Sequence, residues 1–149
     1  MRYRLIVLFL SLWLAGCLAA RTAIPPEQLD VFGVQWDSGQ DYRQLLGVAG
    51  VDEPCLHGFD RRFEPLAVVI GYGRDGRVRK IVTRNPQTAL FGIRPGVTAG
   101  AAVVEAGAAG FVAAGSPRVM RRGDLQLTLL VDEGGKAFGL VLERVATGD

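Results

Sequence analysis

Leu125-Gln126-Leu127-Thr128-Leu129 is the stretch on which the fold of this chain turns. Apolar and polar residues alternate through it, so a strand there gives one face to a core and the other to water. The same face is written a second time, 59 positions earlier: Leu66, Val68, Ile70 and Tyr72 map onto Leu125, Leu127, Leu129 and Val131. That offset also carries Phe32-Gly33-Val34 onto Phe91-Gly92-Ile93, Gly76 onto Gly135 and Ile81 onto Leu140, while Arg61-Arg62 and Arg121-Arg122 match with a one-residue shift. One offset serving so many positions points to an internal duplication.

Each copy reads in the same order: a Phe-Gly-Val/Ile element, a short helix, then three strands in meander. In the first copy Ser38-Gly39-Gln40-Asp41 can cap a helix running to about Leu46, with Gly47 to end it. In the second, Thr98 can cap a helix from Ala99 to about Ala108, with Val103 and Val104 toward the sheet. Gly100 and Gly107 each cost that helix up to ~1 kcal/mol relative to Ala, so packing must hold it. Hairpin turns fall at residues 74–77 and 133–136, and the returning strands at 78–84 and 137–145. Arg79 sits where Phe138 does, so this strand either bulges or is a solvated edge in the first copy. The expected fold is α+β: two tandem units, residues 31–85 and 86–149, each a short helix or two on a three- to four-stranded antiparallel sheet. Asn85-Pro86 and Thr88 would link them.

The first residues read as a leader and are set apart from the fold. Met1-Arg2-Tyr3-Arg4 is basic, residues 5–14 are apolar, and Ala15-Gly16 supplies small residues before Cys17. Ten helical residues span only ~15 Å, about half a bilayer core, which excludes a transmembrane helix. Leu14-Ala15-Gly16-Cys17 resembles the lipobox of bacterial lipoproteins. The resemblance implies a signal peptide over 1–16, cleavage before Cys17, lipid on that cysteine, and a tether over 17–30. Leu18 stands where an Asp favours inner-membrane retention in enterobacterial lipoproteins. That places the anchor in the outer membrane, on its periplasmic face, rather than in the inner membrane. The net charge of +2 belongs to Arg2 and Arg4, so the processed chain is balanced. A balanced chain lacks the basic footprint that nucleic-acid binding needs.

The search for chemistry returns little. His57 is the only histidine and lies beside Cys55. With Cys17 occupied by lipid, Cys55 reads as a buried inert thiol, with an intermolecular disulfide or a ligand role beside His57 as alternatives. One Cys and one His are too few to hold a metal, and no third group is in place to orient the imidazole. The glycines at 71, 73, 107 and 110 form no phosphate loop. The reading is therefore of a non-enzyme, without cofactor or metal. Fifteen of the 17 basic residues are Arg. Arg74, Arg77, Arg79, Lys80 and Arg84 crowd one hairpin, and Arg118, Arg121 and Arg122 form a second group. They read as solvated sheet edges or as a surface that meets anionic envelope polymers or an acidic protein partner.

The order of elements around Phe91-Gly92-Ile93-Arg94-Pro95-Gly96-Val97-Thr98, the helix after it, and the strands around Gly134-Gly135 resembles the SmpA/OmlA (BamE-like) envelope lipoproteins. The tandem-repeat beta-lactamase inhibitor proteins share that order. The resemblance implies a role in binding other proteins, either as an accessory in outer-membrane assembly or as an inhibitor gripping an enzyme on a concave sheet. The alternatives are a structural or stress-associated lipoprotein without a specific ligand, and an enzyme or metal carrier centred on Cys55 and His57.

Overall fold

The computed structural model describes residues 21–146, so the expected leader and Cys17 lie outside the described residues. Twelve strands and one helix follow in chain order. They are β1 (Leu29–Asp30), β2 (Gln44–Leu45), β3 (Val48–Ala49), β4 (Val51–Cys55), β5 (Gly58–Phe63), β6 (Val68–Gly73), β7 (Val78–Thr83), β8 (Ala89–Leu90), α1 (Ala99–Ala108), β9 (Val112–Ser116), β10 (Val119–Arg122), β11 (Leu125–Val131) and β12 (Ala137–Arg144). Eight of the strands form a single antiparallel sheet in the order β4-β5-β6-β7-β12-β11-β10-β9.

The expected pair of separate helix-on-sheet units is therefore corrected to one continuous sheet with one short helix. Each half supplies a four-stranded meander, and the meanders join where β7 pairs with β12. Where they meet, both strands are apolar on both faces, through Ile81 and Val82 in one and Leu140, Val141 and Leu142 in the other. The pairing obeys the 59-residue offset, because Ile81 faces Leu142, Thr83 faces Leu140, and Val82 faces Val141. Exchanging the halves returns the same pairs, so the register has a local two-fold centred between Val82 and Val141. The small β1–β8 ladder follows the same rule, with Asp30 opposite Ala89.

Local geometry repeats as well. Phe32 and Phe91 take φ of 51° and 54°, followed by Gly33 and Gly92 at 80° each. A left-handed phenylalanine is costly, and here the packing around each ring holds it. Phe91 is buried against Phe111 with ring centroids 4.8 Å apart. Arg79 and Phe138 are both the extra residue of a bulge, skipped between Gly71–Lys80 and Tyr72–Val78 in one ladder and between Leu130–Gly139 and Val131–Ala137 in the other. The bulge resolves the conflict between an arginine and a phenylalanine at matching positions, since neither points into the core.

The core lies on one face of the sheet. Phe63, Val68, Ile70, Ile81, Leu140, Leu142, Leu125 and Leu127 point into it and are almost wholly buried. The N-terminal segment through Val31, Val34 and Trp36, the loop carrying Leu90 and Ile93, and α1 cover them. Thr98 caps α1, its hydroxyl accepting from Ala101 N–H at 3.2 Å. Ala102 and Ala106 face the sheet, whereas Val103 and Val104 point outward, against expectation. Small side chains let a glycine-containing helix sit close to the strands.

No helix forms over residues 38–46, despite the capping residues. Tyr42 is buried instead; its N–H donates to the Tyr72 hydroxyl at 3.0 Å, and its own hydroxyl accepts from Gln35 N–H at 2.9 Å. Those contacts need an extended loop, and they outweigh weak local helix propensity. Leu66 falls in a 3-10 turn ahead of β6.

Candidate protein-docking face

The opposite face of the sheet carries no covering element among the described residues. Along it a row of side chains crosses the strands through the paired positions Arg62, Val69, Val82, Val141, Thr128 and Val119. Leu130 lies beside this row, and Phe138 is 41% exposed nearby. The three central valines are half-buried and stand outside the core cluster, so they shield one another across the strands. A sheet face left to water would normally alternate to polar residues here, so an apolar stripe across its middle marks a surface available for contact.

Charge frames the stripe on one side. Asp60, Lys80, Glu143, Gln126 and Arg121 make the next row, with Gly71 between the first two. Lys80 ion-pairs with Asp60 across β6, and a Cβ on Gly71 would come within 2.8 Å of both side chains. The glycine thus exists to let the ion pair cross the strand. Two grooves open on either side of this pair. One, of about 780 Å³, is lined by Cys55, His57, Gly73, Arg74 and Arg79. The other, of about 280 Å³, is lined by Arg62, Val69, Val82 and Arg84. Asp60 lines both.

The arginines singled out from the sequence are scattered. Arg74, Arg77, Arg79 and Lys80 gather at one end of the sheet. Arg74 donates to the Leu56 carbonyl at 3.1 Å and Arg77 to the Asp37 carbonyl at 2.7 Å. Arg79 pairs with Asp75 and with Asp37 at 3.6 Å, and its hydrogen bond holds the Asp75 carboxyl below the usual range. Arg84 lies at the opposite end of β7, stacked 5.6 Å over the Phe138 ring. Arg121 donates to Gln126 at 3.3 Å on the open face. Arg122 is on the core side, between the Phe91 and Phe111 rings at 4.9 and 5.0 Å, donating to the Ala109 carbonyl at 2.7 Å. Burial lowers its pKa. Cys17 lies outside the described residues.

Cys55 is exposed at the end of β4, beside the β4–β5 turn, which corrects the expectation of a buried thiol. A five-residue edge strand ending in a tight turn has no interior in which to place it. Among the described residues no group of three or more His, Cys, Asp or Glu is arranged to hold a metal, and no helix is long and apolar enough to cross a membrane.

Two features escaped the sequence reading. The valine stripe was signalled by apolar residues at both parities in Val68-Val69-Ile70 and Leu140-Val141-Leu142, the mark of strands with two apolar faces. The second is Arg61, whose side chain is 7% exposed and lies on the core side. It is held bidentately by Asp52, at 2.5 and 2.9 Å, and also by Asp41, with its guanidinium 5.2 and 5.4 Å from the Phe59 and Tyr72 ring centres. Hydrogen bonds from Arg61 hold both carboxyls below their ordinary values, and Arg61 itself is pushed up by Asp52. This network ties the loop at Asp41 and the edge strand β4 to the sheet. Comparison of the chain with protein-family models, with curated proteins and with solved structures finds no match.

Proposed function

We propose that the protein is an outer-membrane lipoprotein, anchored through lipid on Cys17, that acts without catalysis by binding another envelope protein on the open face of its sheet. The observation that carries the reading is the stripe Val69–Val82–Val141, apolar, uncovered among the described residues and central to the sheet. Desolvated apolar centres with polar rims are the usual anatomy of a protein-binding patch. Arg62 and Arg84 beside the stripe, and Arg121 further along the sheet, supply rim charges that set on-rate and salt dependence. The lipobox and Leu18 support the anchor and its membrane, and both come from the sequence.

A photo-crosslinking residue at Val82 or Val141 tests the reading in intact cells. One dominant adduct from these positions is expected, absent when the crosslinker is placed at Val104, which is 71% exposed on the helix side. Equal labelling from all three positions overturns the assignment of the face.

A further inference from the structure

We infer that the end of the sheet formed by the β4–β5 and β6–β7 turns lies against the bilayer, where Leu56, Arg74 and Arg77 meet anionic lipid headgroups. The inference rests on Cys17 being the lipidated residue.

The route of the chain carries the argument. Arg21 ion-pairs with Asp37 at 3.8 Å, and Thr22 N–H donates to Asp124 at 3.1 Å. Asp37 is in turn reached by Arg79 at 3.6 Å and Arg144 at 3.3 Å, and its carbonyl by Arg77. The chain is therefore pinned to this end of the sheet at residue 21. Arg21 lies four positions after Cys17, a reach of at most ~14 Å when fully extended. A domain held on so short a lead presents the end from which the lead departs.

That end has the chemistry of an interfacial surface. Arg21, Arg79 and Arg144 are matched by Asp37, Asp75 and Asp124. Arg74 and Arg77 make no ion pair among the described residues, and their guanidiniums donate only to carbonyls. Gly58 pairs with Gly73, which sets the two turns side by side, and Leu56 at the tip is 77% exposed. An exposed leucine flanked by His57 and Arg74 is amphipathic in the way of membrane-surface contacts. The turns at the other end carry Glu64, Asp132 and Glu133 together with Arg118 and Lys136, so they offer an anionic surface no net positive charge. Each basic residue near such a surface strengthens attachment several-fold, so two give roughly tenfold or more.

The test uses the full lipidated protein in vesicles of phosphatidylethanolamine with either phosphatidylglycerol or phosphatidylcholine. A polarity-sensitive dye is placed on Cys55, or on Glu133→Cys in a Cys55→Ser background. In anionic vesicles the dye at 55 is expected to shift to the blue and to be quenched by spin-labelled lipid several-fold more than the dye at 133. Arg74→Glu/Arg77→Glu should abolish the difference while leaving near-UV circular dichroism and vesicle association intact. Equal quenching at 55 and 133 in anionic vesicles overturns the orientation. A Cys17→Ser protein that still stays fully with the vesicles overturns the lipid reading beneath it, a separate outcome.

Discussion

Replacing Arg61 probes the network that holds the first half together. The side chain is 7% exposed while Asp41 and Asp52 remain 47% and 51% exposed. Breaking a fully buried pair costs about 3–5 kcal/mol because the abandoned charge stays buried. Here both abandoned carboxylates rehydrate, so Arg61→Ala should lose chiefly the charge-assisted hydrogen bonds and the stem's packing, about 2–3 kcal/mol. Arg61→Met restores the packing. The position 59 residues later is Met120, buried to 2% exposure, so the fold already accommodates that side chain there. Arg61→Met should cost about 1 kcal/mol. The pH dependence follows from the signs. Asp41 and Asp52 have folded pKa values lowered from 3.8, so the stability they add is whole above that value and disappears as pH falls through the lowered ones. The gap between wild type and Arg61→Met should therefore begin to close as pH falls below 3.8 and close fully only below the lowered folded values. Urea unfolding followed by Trp36 fluorescence at pH 7 and pH 3 measures both effects. An Arg61→Ala protein within 0.5 kcal/mol of wild type at pH 7, or a gap to Arg61→Met that persists unchanged at pH 3, refutes the reasoning.

Two further expectations concern single contacts. Thr98→Ala removes the cap of α1 and should cost about 1 kcal/mol by thermal or chemical unfolding, with Thr98→Ser restoring most of it. Gly58→Ala should destabilise by about 3 kcal/mol or more, since φ is 150° and the added Cβ would lie 2.0 Å from the Tyr72 carbonyl; loss of soluble protein or a lowered melting temperature reports it.

The parts of the fold written in local chemistry were legible. Leu125, Leu127 and Leu129 alternate and are buried, Thr98 caps the helix ending at Ala108, and the turn glycines Gly76 and Gly135 have φ of 72° and 77°. What depended on distant partners was not. β7 and β12 carry no local mark of which strand each will meet, so the sequence left β7 as either a bulged strand or a solvated edge and did not show the junction. Ser38 through Asp41 have the residues of a helix start, but Arg61 and Tyr72 claim Asp41 and Tyr42 from across the sheet. The edge strand Val51-Asp52-Glu53-Pro54-Cys55 escaped notice because proline and two acids hide its period. Those same residues suit an edge that must resist pairing with other chains. The site was legible only as far as its arginines, which proved to be spread over both faces and both ends of the sheet.

The junction of β7 with β12 has a consequence for how the polypeptide can be divided. Its symmetric register is that of two identical subunits meeting across a dyad, here enclosed in one chain. A cut between Asn85 and Thr88 would leave two pieces, each with an open rim whose natural complement is the other piece. Such pieces should reassemble when mixed, and either one kept alone should seek a copy of itself.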